Sequence, residues 1–290
     1  MTAMHTVVLT KGVPDFREGQ VSFDEDGHLE RGKTPTVMNP NDKHALRAAL
    51  QTKVRKGGDV TLMSMGPPGY KEVLQEGMAD VYADDLYLLS DREMGAADTW
   101  ATAMTVATGI QKLDTQPDLL FAGFKTADGE TGHTGPQTCW CLDMPMITHV
   151  VALDIDEDER TVRAKRLVEG DVEEIETVET DLPAFIVADP EFEPTYRKAG
   201  HRLRWKDLRA ETQERAENLD LDEDVTVWNH EDLNLDPDYI GLDGSPTIVA
   251  GVDPIPKAPS EREATMVDGI DDEAGLEQVF EEIDAYAAGD

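Results

Sequence analysis

The chain has 290 residues, with 61 acidic and 26 basic side chains and a formal charge of −35. That balance excludes passive attraction to nucleic acid or to an anionic membrane surface. The length allows one large domain or one domain with an appended arm.

The acids are spread along most of the chain, so the charge is a property of the whole surface. Compact folding against such repulsion is easiest where salt screens it, since the Debye length falls to about 3 Å near 1 M salt. A salt-rich cytoplasm is therefore expected. Periodic apolar segments through most of the chain argue against intrinsic disorder. The N-terminus has no charged leader before an apolar core, and no apolar run approaches membrane-span length, so a soluble cytoplasmic protein without direct membrane insertion is expected. The two cysteines, Cys139 and Cys141, flank Trp140. They are too few for a structural zinc site and too close for an unstrained disulfide, which leaves reduced packing residues.

Residues 5–10 form a β-prone run, and 21–29 fit a small hairpin with Asp26-Gly27 at its turn. Asn39-Pro40-Asn41-Asp42 marks the start of a helix whose Ala45, Leu46, Ala49, Leu50 and Val54 keep helical spacing until Gly57-Gly58. A strand at 60–65 closes at Gly66-Pro67-Pro68, a helix runs through Leu74 and Met78, and 86–89 is a further strand. Asp98 caps a helix with Trp100, Ala103, Met104, Ala107 and Ile110 on one face. The next strand begins at Asp118.

The alternation of strand and helix predicts an α/β fold with a mainly parallel, Rossmann-like sheet flanked by helices. Beyond Met146, β-like runs at 147–155, 161–167, 172–178 and 184–187 suggest an antiparallel extension. Three regions are expected: an α/β domain over 1–205, a polar acidic insertion or linker over 206–238, and a C-terminal arm over 239–290. Segments 244–247 and 254–259 read as extended chain, and the arm ends in an amphipathic helix at 273–287. That helix docks on a partner subunit or on its own domain.

The most informative segment is 118–136, an apolar strand followed by Phe124-Lys125-Thr126-Ala127-Asp128-Gly129-Glu130-Thr131-Gly132-His133-Thr134-Gly135-Pro136. A strand, a Gly-rich loop and a helix start suit a phosphate, because glycines admit the ligand and first-turn N–H groups point at the anion. Thr131 and Thr134 add hydroxyl donors. Such loops also occur without ligands, and this one matches neither the dinucleotide fingerprint nor a P-loop. Ligands of parallel sheets sit at strand carboxyl ends, so the loops after Thr10, Met65 and Ala122 can face one site.

Taken together, several ordered segments resemble the β subunit of electron transfer flavoproteins, including FixA-type proteins. They are Lys11-Gly12-Val13-Pro14-Asp15, Met38-Asn39-Pro40-Asn41-Asp42, the run 60–67, Asp98-Thr99, the loop 128–136, Val168-Glu169-Gly170, Leu182-Pro183-Ala184, Glu193-Pro194 and 241–247. The resemblance implies a heterodimer with an α subunit and a shared FAD. That FAD carries electrons from dehydrogenases to a membrane quinone reductase, and this chain holds AMP or, in electron-bifurcating members, a second FAD. It implies a nucleotide site made of Leu9, Asn39, Pro40, Asn41, Asp42, Met65, Asp128, Gly129, Glu130, Thr131, Gly132, His133, Thr134 and Gly135, with Phe16 reaching toward the shared flavin. Gly132 leans toward the FixA-like, bifurcating branch. No catalytic acid, base, nucleophile or metal ligand is implied, since the flavin supplies the redox chemistry. Asp128 is expected to brace the loop or bind a ribose hydroxyl, and Glu130 to face solvent.

Two departures stand out: a loop one residue short at Lys125-Thr126-Ala127-Asp128, and a contracted segment at 193–200, where family members contact dehydrogenases. The rival readings are an adenine-nucleotide-binding ligase or a nucleotide sensor. A ligase of this architecture needs a small-residue phosphate loop directly after the first strand, where this chain has Lys11-Gly12-Val13-Pro14-Asp15.

Overall fold

The computed structural model describes residues 4–15, 35–168 and 174–248, together with Glu277, Val279 and Phe280. The chain divides into a unit of residues 1–250 and a unit of residues 251–290. In the second unit Glu277, Val279 and Phe280 are helical. Phe16, the hairpin expected at 21–29, the extended run at 254–259 and most of the C-terminal helix lie outside the described residues.

In the first unit the chain runs β1 (His5–Thr10), β2 (Gly12–Pro14), β3 (Thr36–Met38), α1 (Asp42–Lys56), β4 (Asp59–Met65), α2 (Lys71–Asp80) and β5 (Asp85–Leu89). It continues through α3 (Thr99–Lys112), β6 (Leu119–Gly123), α4 (Thr134–Cys141), β7 (Met146–Asp156), β8 (Thr161–Val168), β9 (Glu174–Asp181), β10 (Ala184–Ala188), α5 (Ala199–Glu217) and β11 (Val225–Trp228). Nine strands form one sheet in the order β11-β5-β4-β1-β6-β10-β7-β8-β9, and β2 and β3 form a separate antiparallel pair. From β11 to β7 every pairing is parallel, while β7–β8 and β8–β9 are antiparallel. The expected α/β fold, with its antiparallel extension, is the fold observed.

The strand sequences explain their places. All five residues of β10, Ala-Phe-Ile-Val-Ala, are buried, as a parallel strand covered on both faces requires. The outermost strand β9 is largely exposed and studded with Glu and Thr, a composition that discourages edge pairing with other chains. Successive residues point to opposite faces. Val8, Leu62 and Phe121 join α1 and α2 in one core, whereas Val7, Met63 and Leu120 meet Val106 and Ile110 of α3 and Cys139 of α4 in the other. Asp98 caps α3 as expected, its carboxylate accepting the N–H groups of Trp100 and Ala101 at 2.9 Å.

Three segments differ from the sequence reading. Residues 184–187, expected in the antiparallel extension, instead return to the parallel sheet as β10, between β6 and β7. The acidic stretch 206–238 contains most of α5 and all of β11, which pairs with β5 at the sheet edge. Of the segment 244–247, expected as extended chain, Gly244 instead closes a turn over 241–244, its N–H bonded to Ile240 O at 2.9 Å. Ser245 Oγ accepts from the Asp98 N–H, and Thr247 donates twice to the Asp98 carboxylate.

Strand order places the candidate site. The chain passes from β1 through α1 to β4 on one side of β1, and later reaches β6 on the other side through α3. Helix α1, which follows β1, and α4, which follows β6, pack on opposite faces, which puts the switch-point crevice where such sheets bind ligands at the carboxyl ends of β1 and β6.

Candidate functional site

Three segments meet at that crevice: Lys11 after β1, residues 39–42 at the start of α1, and the loop from Phe124 to His133 after β6. Asn39 is fully buried and joins all three: its backbone N–H donates to the Lys11 carbonyl at 2.9 Å, and its side chain ties the start of α1 to the loop. Its Nδ2 donates to Asp42 Oδ1 at 2.8 Å and to the Lys125 carbonyl at 2.9 Å, while its Oδ1 accepts the Ala127 N–H at 3.2 Å. Asn41 Nδ2 donates to the same Lys125 carbonyl at 2.8 Å. The first half of the β6–α4 loop is thus tied to the start of α1 by amide side chains. These contacts occupy Asn39 and Asn41 as braces, with exposed Pro40 between them.

Asp42 is buried beneath the crossing. Its Oδ2 accepts the Lys11 N–H at 2.8 Å, and its Oδ1 would lie 2.5 Å from a Cβ on Gly123. Only glycine fits at 123, because the start of α1 passes directly over the end of β6. Burial pushes the Asp42 carboxyl up to about 7, against the opposing pull of Asn39 and the Lys11 N–H.

Asp128 and Lys11 close the crevice from the other side. Lys11 Nζ lies 2.8 and 2.9 Å from the two carboxylate oxygens of Asp128. Burial raises the Asp128 pKa, but the Lys11 ammonium and hydrogen bonds from Lys11, Thr126 and the Gly129 N–H outweigh it and hold the carboxyl below its usual range. Glu130 is exposed and sits 3.4 Å from Lys125. Both loop carboxylates are therefore matched with lysines of the protein.

The second half of the loop is shaped for close approach. Gly132 has φ +64, a left-handed conformation, and a Cβ there would meet the Phe124 carbonyl at 3.3 Å. A Cβ on Gly129 would meet only Thr126 Oγ1, at 3.7 Å. Thr131 and His133 are exposed, with the His133 N–H 3.5 Å from Thr131 Oγ1. Helix α4 then begins at Thr134, and no intrahelical carbonyl reaches the N–H groups of Thr134 and Gly135. Pro136 in the same turn needs no such partner. First-turn amides, a left-handed glycine and carboxylates paired with lysines make this half of the loop chemically suited to phosphate oxygens.

Leu9 and Met65 lie near the carboxyl ends of β1 and β4, partly buried against the core under α3 and α4. Among the expected residues, hydrogen bonds join Asn39, Asn41 and Asp42 to Lys11 or to the β6–α4 loop, and Asp128 to Lys11, while residues 129–135 continue that loop into α4; no such bond links Leu9, Pro40 or Met65 to them among the described residues. Sequence reasoning passed over the side chains that hold the site in shape. Tyr70 donates to the Gly12 carbonyl at 2.5 Å. Its ring occupies the space where a Cβ on Gly12 or Gly66 would lie. Gly66, four residues before Tyr70 in the turn Gly66-Pro67-Pro68-Gly69, was the available signal. His149 and Asp189 carried no local pattern. No group of three or more His, Cys, Asp or Glu positioned for a metal occurs among the described residues.

With this geometry in place, relatives become informative. The model of the electron transfer flavoprotein domain matches residues 26–223. A caffeyl-CoA reductase-Etf complex subunit, CarD, of Acetobacterium woodii is 36% identical over 248 residues, covering 85% of this chain and 86% of its own. An electron transfer flavoprotein subunit beta of Clostridium acetobutylicum is also 36% identical, over 85% and 86% of the two chains. A protein FixA of Azotobacter vinelandii is 32% identical over 96% of this chain and 95% of its own. The chain belongs to the electron transfer flavoprotein family.

Family proteins work by electron transfer, for which positioning and electrostatics matter more than proton-transfer side chains. No helix among the described residues is long and apolar enough to cross a membrane.

Proposed function

We propose that this chain is the β-type subunit of a two-subunit electron carrier, in which a flavin shared with an α subunit moves electrons between soluble dehydrogenases and a quinone reductase. The chain contributes an adenine-nucleotide site at the β1/β6 crevice, filled by AMP or by a second FAD. The observation that carries this reading is the loop from Phe124 to Gly135. Its first half is braced by Asn39, Asn41 and Lys11, and its second half offers Gly132 and the first-turn amides of α4.

The residues fit the phosphate end of such a ligand. Asp128 and Glu130 face Lys11 and Lys125, so neither carboxylate need oppose an anion at α4. Gly132, Thr131, Thr134 and Gly135 would hold phosphate oxygens, and Leu9 and Met65 supply apolar surface beside them. When bound, the flavin supplies the electron chemistry. The chain binds and orients the nucleotide, and the acidic surface around the site sets the field in which it sits. Salt-rich cytoplasm remains the setting that best suits a charge of −35.

A second reading, that the chain serves a bifurcating complex, is favoured by Gly132, whose missing side chain suits a larger dinucleotide. Denaturing the purified complex and separating its nucleotides tests both: FAD with AMP marks the simple carrier, and two equivalents of FAD mark the bifurcating one. Absence of any adenine nucleotide rejects the site.

A further inference from the structure

Strand β7 carries an irregularity beside the candidate site. Ile147 lies opposite Ile186 and Val150 opposite Ala188, so β7 has one residue more than β10 across this interval. The bulge holds His149, whose φ is +55. A non-glycine residue in that region is strained and persists where its surroundings fix it. Two contacts fix His149. Its Nδ1 lies 3.2 Å from Oδ2 of Asp189, a buried residue directly after β10. A carboxylate oxygen accepts, so Nδ1 carries the proton. The imidazole also packs on the Phe124 ring, with centroids 4.7 Å apart and planes tilted by 52°.

Asp189 is itself anchored. Its N–H donates to the Val150 carbonyl at 3.0 Å, and its Oδ1 accepts the Glu191 N–H at 2.9 Å. Phe124 is the first residue after β6, and its carbonyl abuts the left-handed turn at Gly132. The β6–α4 loop is therefore held at two adjacent points. The start of α1 grips the Lys125 carbonyl through Asn39 and Asn41, and the β7 bulge supports Phe124 through His149.

We propose that His149, oriented by Asp189, is a positioning residue for the β6–α4 loop and fixes the turn at Gly132 for nucleotide binding. The inference rests on the reading of that loop as the nucleotide site. The bulge aims the imidazole at Phe124, and Asp189 stops the ring from rotating away. Without the imidazole, Phe124 loses its support and the Gly132 turn loses the carbonyl it rests on, although the sheet on either side keeps its pairing.

The test uses the full-length chain with two substitutions. His149→Gly relieves the left-handed backbone while deleting ring and hydrogen bond, and His149→Asn tolerates that backbone and restores an amide donor toward Asp189. In the nucleotide-free chain, hydrogen exchange is followed at the Ala127 and Glu130 amides, which bond to Asn39 Oδ1 at 3.2 Å and Thr126 O at 2.9 Å. We expect His149→Gly to speed exchange at both at least tenfold with α3 unchanged, and His149→Asn, which keeps a bond to Asp189 but has no ring against Phe124, to speed it comparably. Calorimetric affinity for AMP and for FAD should fall at least fivefold in both His149→Gly and His149→Asn. Unchanged exchange at Ala127 and Glu130 overturns the proposal. So does faster exchange throughout α3 and α4, or unchanged affinity in a chain whose parent binds nucleotide. A parent chain that binds neither AMP nor FAD rejects the nucleotide reading instead, and the exchange measurement still decides whether His149 positions the loop.

Discussion

Replacing Asp42 with asparagine should change how stability depends on pH, in a direction fixed by its surroundings. In the folded chain the carboxyl titrates near 7, against 3.8 when unperturbed, because it is buried at the crossing of α1 and β6. The folded state then holds a proton that the unfolded chain has released, so this group's contribution to stability falls as pH rises from about 4 through 7. At pH 5 the folded carboxyl is still protonated about two units below its pKa, which at about 1.4 kcal/mol per unit makes it about 2.7 kcal/mol more favourable than at pH 8. The amide of the variant does not titrate. It also faces two donors, the Lys11 N–H and Asn39 Nδ2, with a single acceptor oxygen and a donor of its own, leaving one group unpaired at a cost of about 1–3 kcal/mol. Denaturant unfolding of both proteins in molar KCl should show Asp42→Asn much the less stable at pH 5, with the gap narrowing by about 2–3 kcal/mol at pH 8. Taking the difference between the two proteins cancels the many other carboxylates. A gap that stays constant from pH 5 to 8 would refute the buried, proton-holding Asp42.

Further outcomes follow from the same geometry. Gly132→Val forces a β-branched residue into a left-handed backbone at about 1–2 kcal/mol or more, and should abolish nucleotide retention while far-ultraviolet dichroism is unchanged. Asp98→Ala removes the cap of α3 together with both bonds to Thr247, and thermal melting should show a loss of about 1–2 kcal/mol with faster proteolysis near residue 245. The melting temperature should climb as KCl rises toward 1 M, because screening relieves the repulsion of a charge of −35. A melting temperature independent of KCl would remove the salt-rich setting.

The parallel half of the fold was legible because its strands are short apolar runs and its helices carry apolar positions at helical spacing. Helix α5 was not. Among its 19 residues only Leu208, Thr212 and Ala216 are buried, a stripe too thin to stand out among charged neighbours. Strand β11 is four residues long and gains its place from pairing with β5, a contact that local sequence does not encode. Strand β10 was visible as a strand, but its insertion between β6 and β7 depends on partners far apart in the chain. At the site, the glycines and the Asn-Pro-Asn-Asp run announced themselves through turn and helix-start chemistry. The supports behind them did not. Lys11 meets Asp128 across 117 positions and His149 meets Asp189 across 40, and neither pair leaves a periodic trace.

The central claim is that the loop from Phe124 to Gly135 holds an adenine nucleotide within a two-subunit flavoprotein. The most direct measurement is the nucleotide content of the complex purified with its α subunit in molar KCl, read by chromatography after denaturation and normalised to protein. The account predicts two nucleotides per heterodimer, at least one of them FAD, with one lost selectively in Gly132→Val. A single FAD per heterodimer, retained in full by Gly132→Val, would contradict it.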